Sequence, residues 1–448
     1  MTIHTKPSRV EALDNCAHLD GDTEAQSGDE FFNPWRLPAS PAARQLVADV
    51  IEQFQTFETM RQVRQRKRRA KDLAIFEQTV TALICDLAHA ELTGVNWIAV
   101  PRSKTVLARK SRYLSPVFGK QLPTVLDILA DPDLRLIEQM VGHWDFYAGN
   151  QRTMVQAGEH LRTMILNLGL TLRDFGTNHQ EETIILKAPP KTPVSSGKAV
   201  DYPETETTSR MRAEMETLNR GMEGADLKVV MEGQEVTGLT EPRRLRRVFT
   251  YGSFTSGGRL FGGFWEEMPK HFRRTALRID GEETVELDYG QMALRLLYGE
   301  AGVIPSWTDG YLVPLPGLEG DPGLFRDGMK VLINAMLFSK SPLSRKPKDT
   351  KKLLPGFLSI QQLTEAVLGT HRPVAHLFHS GIGHHLQFLE SELMVDLLLI
   401  AGDRGITALP IHDSIIVERS HEMEAKTLME EVFHRRTGLV PVIKASTD

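Results

Sequence analysis

Asp288 and Asp413 each stand alone at the end of an apolar strand pattern, in Val285-Glu286-Leu287-Asp288-Tyr289-Gly290 and in Leu409-Pro410-Ile411-His412-Asp413-Ser414-Ile415-Ile416-Val417. A strand tip exposes a carboxylate while packing fixes its backbone. Two such tips side by side in one sheet would hold two Mg²⁺ ions about 3.5–4 Å apart, the arrangement that clamps attacking and leaving oxygens in phosphoryl transfer. Each aspartate read alone is a strand-end residue making a turn or cap hydrogen bond. Taken together they point to metal-assisted chemistry on a phosphate.

The strings around these residues recur in one order. Asp288-Tyr289-Gly290-Gln291-Met292-Ala293-Leu294-Arg295 is followed by Arg326-Asp327-Gly328-Met329-Lys330, then by Phe338-Ser339, and finally by Ile411-His412-Asp413-Ser414. Arg326, Lys330, Asn334 and Phe338 advance in steps of four and share one helical face. Together the strings resemble the palm and fingers of the family A DNA polymerases and their relatives, the single-subunit phage RNA polymerases. The first is similar to that family's D-Y-S-Q-x-E-L-R, the second reproduces R-x3-K-x7-[YF]-[GS], and the third is similar to H-D-[ES]. Gly258-Arg259-Leu260 is a weaker likeness to the T-G-R-L segment that precedes them.

The resemblance implies a role for each residue. Asp288 would be a ligand of both ions and Asp413 the second metal ligand, with the Tyr289 carbonyl as a further oxygen. Arg326 and Lys330 would meet the β- and γ-phosphates of a nucleoside triphosphate, and Lys330 would also protonate the leaving pyrophosphate. Phe338 would stack beside the nascent pair, with Asn334, Gln291, Ala293 and Tyr289 completing the nucleotide site. Arg259 and His412 would lie at the primer end. Mg²⁺, with Mn²⁺ as its substitute, is the implied cofactor, and a DNA or RNA primer-template with nucleoside triphosphates the implied partners.

Two departures bear on the sugar. Ala293 stands where the DNA polymerases usually place a glutamate that blocks a ribose 2′-OH, and Ser414 follows the second aspartate as in the phage RNA polymerases. Both point toward ribonucleotide tolerance or priming. The short distance from Lys330 to Asp413 implies reduced fingers, and no acidic cluster in the N-terminal half suggests a proofreading exonuclease. Plainer alternatives are an exposed basic pair at Arg326 and Lys330, a core role for Phe338, and a non-catalytic replication initiator with a vestigial palm. His371, His376, His379, His384 and His385 are read as parts of a packed helical region rather than as a zinc site.

The elements that must position these groups follow from pattern and composition. The 448 residues suffice for two or three domains, and the net charge of -5 is unevenly spread. Residues 1–30 carry seven acids against Lys6 and Arg9, whereas residues 61–120 carry thirteen Lys and Arg against four acids. That excess predicts a polyanion partner. Arg64, Arg66, Lys67, Arg68 and Arg69 in the run 61–71, with Arg109, Lys110 and Arg112 further on, are its expected contacts; a solvated face is the bland reading of the same run.

Residues 1–38 read as a disordered acidic tail. Ser40-Pro41 reads as a helix start. Helix 122–129 with strands at 135–141 and 152–157 resembles a winged helix by fold analogy alone, with Trp144, Phe146 and Tyr147 at its tip. The Pro- and Ser-rich stretch within 188–206 has linker composition. The expected order is therefore a tail (1–38), a mainly helical nucleic-acid-binding region (39–187), a linker (188–206), and an α+β catalytic domain with an antiparallel sheet and helical fingers (207–448). Two cysteines, Cys16 and Cys85, exclude a disulfide framework. The absence of a long apolar run or signal-peptide core suggests a cytoplasmic protein without membrane contact.

Overall fold

The computed structural model describes residues 30–446 except 65, 143, 146–148, 151, 179, 192–196, 237–239, 241 and 351. The chain is α+β with mainly antiparallel sheets and forms two compact units, Met1–Glu182 and Thr183–Asp448.

In the first unit, Ser40 caps helix Pro41–Met60 by accepting from the Ala43 amide, with Pro41 in the first turn as the sequence predicts. Phe54 on that helix meets Phe76 on helix Ala70–Thr93 at 4.9 Å between ring centroids. By length and apolarity the second helix could cross a membrane, but Phe76, Val80, Leu83, Ile84 and Leu87 are buried in the unit's own core. Strand Ile98–Val100, helix Leu122–Leu129 and strands Ile137–Met140 and Thr153–Ala157 follow. The last strand pairs antiparallel with both others, between them.

The expected tail is corrected at its end. Glu30–Phe31 pairs in parallel with Ile98–Ala99, and Arg36–Pro38 pairs with Phe175–Thr177. Buried Phe32, edge-on to Phe118 at 5.9 Å, and an Arg36–Asp86 ion pair at 2.9 Å secure this segment. Residues 1–29 lie outside the described residues, as do Phe146, Tyr147 and the Trp144 side chain.

The expected linker is corrected too. Ile184–Leu186 is a strand paired in parallel with Arg246–Phe249, Lys187 bridges to Ala199, and the Tyr202 hydroxyl donates to the Ile184 carbonyl at 3.0 Å. The division therefore precedes the proline-rich stretch, because apolar Ile184, Ile185 and Leu186 are buried in the second unit.

The second unit is organised around strand Glu282–Gly290. It pairs antiparallel with Ser414–Glu418 on one side and with Val442–Ala445 on the other; at its start it also forms a hairpin with Leu277–Ile279. Period two divides its faces. Val285, Leu287 and Tyr289 are buried in the core, Tyr289 against Phe433 of helix Glu422–Thr437 at 5.5 Å, while Glu286 and Asp288 alternate with them. Helix Gly383–Asp403 packs on strand Gly257–Phe261, and helix Arg326–Phe338 buries Met329, Leu332, Ile333, Met336 and Leu337.

Candidate active site

Asp288 and Asp413 are neighbours in the sheet. Asp288 is in register with Ser414, and Asp413 occupies the two-residue turn between Leu409–Ile411 and Ser414–Glu418. His412, the other turn residue, has φ +54°, in the left-handed region such a tight reversal demands. The Ser414 hydroxyl donates to the Ile411 carbonyl at 2.9 Å and closes the turn. On its other side Asp288 is in register with Lys444, so its backbone is held by two ladders.

Both carboxylates are partly buried, yet among the described residues neither accepts a hydrogen bond or forms an ion pair. Burial, and then the Asp413 charge, push the Asp288 carboxyl up to about 6, against the pull of Lys270 and Lys330. Such a pair lacks a bonded cation and hydrogen-bond donors among the described residues. The described residues contain no group of three or more His, Cys, Asp or Glu side chains placed to hold a metal. Two carboxylates with open positions for phosphate oxygens and water are a donor set that suits Mg²⁺.

Lys330 lies on the outward face of helix Arg326–Phe338, exposed and without an ion pair among the described residues. Arg326, Asn334 and Phe338 share that face, each partly exposed. The Arg326 Nε donates to Asp309 at 2.7 Å, and its guanidinium lies 5.3 Å from the Tyr311 ring centroid. Burial pushes the Tyr311 hydroxyl up to about 12, with Asp309 and Asp413 adding to the rise and Arg326 opposing it. Phe338 meets the His384 ring edge-on at 4.9 Å, and a Cβ at Gly383 would come within 2.8 Å of its ring.

Several expected contacts are corrected. The Tyr289 ring is buried and its hydroxyl donates to the Met429 carbonyl at 2.7 Å, so only its backbone oxygen is left for a metal and its side chain for no nucleotide. Gln291, at φ +62°, clamps the following loop: its Nε2 donates to the Thr308 carbonyl at 3.2 Å and its Oε1 accepts from the Gly310 amide at 2.8 Å. Both ends of that amide are engaged. Ala293 sits half-exposed in the first turn of helix Met292–Glu300.

The basic residues of the first unit divide into two groups. Arg68 forks onto Glu58 at 2.6 and 2.7 Å and lies 3.8 Å from the Phe76 ring centroid, so it holds two helices together. Arg112 pairs with Glu182 at 3.5 Å. These two are corrected to structural pairs. Arg64, Arg66, Lys67 and Arg69 are exposed in the connection between the first two helices, as are Arg109 and Lys110 after the short helix Lys104–Leu107.

The site also contains groups the motifs did not single out. Glu390 of helix Gly383–Asp403 is buried and accepts from Arg259 Nε and Nη2 at 2.6 and 2.9 Å. Burial pushes its carboxyl up to about 6 against the pull of Arg259, and the charges of Asp413 and Asp288 add to the rise. On the same helix, Glu392 and Ser391 engage the fully buried Arg247 at 2.6 and 2.9 Å. A signal existed: Glu390 falls on the buried face with Leu386, Leu393, Met394 and Leu397, where a lone charge demands a partner. Arg259 remains charged despite burial, through Glu390 first and Asp413 after it. His412, at the turn, is shifted down by partial desolvation of its ring and by Arg259.

No protein-family profile and no curated protein matches the chain. Among solved structures it is similar to the POL domain of Pol1 from M. smegmatis in complex with DNA primer-template and dNTP, at 11% identity and a TM-score of 0.31. The alignment covers 92% of this chain and 66% of that one, so the chain spans just under two thirds of that domain's length. At that TM-score the likeness is weak and supports no assignment.

Proposed function

We propose that the second unit is a template-directed nucleotidyltransferase that joins a nucleoside triphosphate to a 3′-hydroxyl with release of pyrophosphate. The observation that carries this reading is the pair Asp288 and Asp413, adjacent on paired backbone, partly buried and without protein donors among the described residues. A purely structural aspartate pair would be hydrogen-bonded, because like charges brought together without compensation cost stability.

Each neighbouring group has a task in that reaction. Asp288 and Asp413 would hold Mg²⁺, or Mn²⁺ in its place. Once bound, the ions would lower the pKa of the attacking hydroxyl and offset charge on the leaving group. Lys330, in the field of Asp288, would bind the triphosphate and deliver a proton to the departing pyrophosphate. Arg326 would use the donors left free by Asp309 for the same phosphates, and Phe338 would bound the base. Positioning and electrostatics supply most of the acceleration in such reactions. The exposed basic residues of the first unit fit a role in holding the nucleic-acid backbone.

The deciding experiment is extension of a labelled primer-template by the full chain with dNTPs and, separately, with NTPs, beside a reaction without primer. Extension by wild type and its loss in Asp288→Asn supports the reading; equal product from both removes it. Product without primer would favour the primase or RNA polymerase form of the same chemistry.

A further inference from the structure

Arg259 poses a physical problem. It lies on strand Gly257–Phe261, whose Phe261 ring meets the ring of His412, the residue before Asp413, at 5.7 Å, and the Asp413 charge acts on it; Asp288 and Asp413 are carboxylates with no ion pair among the described residues. A flexible guanidinium beside such a pair would be drawn onto it. It would then occupy oxygens that the proposed reaction needs for metal.

The fork to Glu390 prevents that collapse. Nε and Nη2 of Arg259 are both committed, at 2.6 and 2.9 Å, to a carboxylate that is 4% exposed. Glu390 is itself fixed midway along the 21-residue helix Gly383–Asp403. The adjoining Ser391 and Glu392 bind Arg247, whose Nε donates to the Gly258 carbonyl at 3.1 Å, one residue before Arg259. Gly258, at φ +87°, lies so close to this junction that a Cβ there would meet the Ser391 hydroxyl at 2.6 Å. Backbone and guanidinium of Arg259 are thus both anchored to one helical turn. Its Nη1 is left without a partner among the described residues.

We infer that Glu390 is a positioning residue that holds Arg259 off Asp413, keeping the two aspartates open to divalent metal and presenting the remaining edge of the guanidinium to the nucleic acid. This deepens the nucleotidyltransferase reading and rests on it. Glu390 touches neither metal nor substrate. It acts through Arg259, by giving that cation a better-placed carboxylate than the metal ligands.

The test is Mn²⁺ binding to the full-length protein, read from the electron paramagnetic resonance signal of free Mn²⁺, with primer extension measured in parallel. Glu390→Gln preserves side-chain volume but releases Arg259, and should weaken Mn²⁺ binding about ten- to a hundredfold, the usual effect of losing a group that orients a metal site. The double variant Glu390→Gln with Arg259→Met should recover most of that loss, because no cation remains to compete. Arg259→Met alone should bind Mn²⁺ at least as well as wild type.

Wild-type affinity in Glu390→Gln overturns the inference. So does weakened binding that Arg259→Met fails to restore, since a general structural defect is not repaired by removing a second side chain. Wild-type Mn²⁺ binding, lost in Asp413→Asn, without nucleotide addition would overturn the nucleotidyltransferase reading while the metal-guarding role stood. Absence of Mn²⁺ binding in wild type would overturn both.

Discussion

The amide of Tyr289 donates to the carbonyl of Asp413 at 3.1 Å, tying the backbone just after one catalytic candidate to that of the other. The main-chain positions of the two aspartates are therefore tied to each other by backbone hydrogen bonding. Substituting either side chain leaves that tie intact, so function and folding can be tested apart.

Asp288→Asn and Asp413→Asn should each reduce nucleotide addition by at least two to three decades, on the order of 3–4 kcal/mol of transition-state stabilisation. Single-turnover primer extension measures this directly. Circular dichroism should show an unchanged fold, and activity near the wild-type rate in either variant would remove the two-carboxylate assignment.

Acidity gives an independent handle on Asp288. Its carboxyl is raised from 3.8 to about 6 in the folded chain. A raised native value means that its contribution to stability is fully present below about pH 4, and is lost as the pH rises through about 6. Without metal, Asp288→Asn should therefore melt higher than wild type at about pH 8, with the difference vanishing below about pH 4. Discounted for solvent screening, the gain is on the order of 1 kcal/mol, or about 2–4 °C. Added Mg²⁺ should raise the melting temperature of wild type more than that of the variant. Wild-type activity should fall as the pH drops through about 6. A variant that melts lower than wild type at pH 8 would contradict this electrostatic account.

Lys330→Ala should raise KM for the nucleoside triphosphate and lower kcat, because its charge acts on Asp288 and its ammonium is otherwise uncommitted. Arg326→Ala should act mainly on KM, since part of that guanidinium is already given to Asp309. Loss of about 2–4 kcal/mol in kcat/KM is the usual scale for removing a group that meets developing charge. Steady-state kinetics with varied nucleotide distinguish the two; an effect confined to primer-template affinity would place this helix elsewhere.

Sugar choice should be loose. Ala293 stands where the polymerases that the sequence resembles usually place a glutamate, and buried Tyr289 cannot fill that space. Ala293→Glu should lower NTP use relative to dNTP use by at least about tenfold, because rejecting an extra hydroxyl requires a steric or polar penalty. Competitive incorporation from mixed pools measures the ratio. A wild-type preference for dNTPs of several decades would show that another group guards the sugar.

Replacing exposed Arg64, Arg66, Lys67 and Arg69 together with glutamine should weaken nucleic-acid binding and flatten its salt dependence. Each phosphate that is no longer neutralised reduces the log–log slope on duplex DNA by about 0.9. Titrations by fluorescence anisotropy at several salt concentrations give that slope. An unchanged slope would return this connection to an ordinary solvated surface. Arg68 is left out of the set because its removal would strand buried Glu58.

The sequence was most legible where chemistry and secondary structure share a spacing. Asp288 lies near the end of its strand with Asp413 in the turn beside it, Arg326, Lys330, Asn334 and Phe338 share one helical face, and Ser40-Pro41 begins a helix. It was least legible where long-range partners decide. Gln291 and Arg295 look like parts of a substrate motif, but the structure uses them to hold loops: Arg295 donates to the Val440 and Thr308 carbonyls at 2.9 and 3.2 Å. Arg68 is indistinguishable in sequence from its basic neighbours until Glu58 is found beneath it. The proline-rich stretch has linker composition, but no local signal revealed that Ile184–Leu186 pairs with a strand some sixty residues later.

Strand Glu282–Gly290 takes its flanking partners from Ser414–Glu418 and Val442–Ala445, both distant in sequence. Assembly of the candidate site must therefore wait for segments far downstream of Asp288. During synthesis, Asp288 leaves the ribosome long before the strands that will frame it, and long-range pairings of this kind form slowly. Until Val442–Ala445 arrives, the ladder beside Asp288 has an open edge, available to wrong pairing or to a chaperone. A chain that has not yet reached Val442–Ala445 already has helix Glu422–Thr437 but no framed pair of aspartates. The frame around the two aspartates is thus set by completion of the sheet.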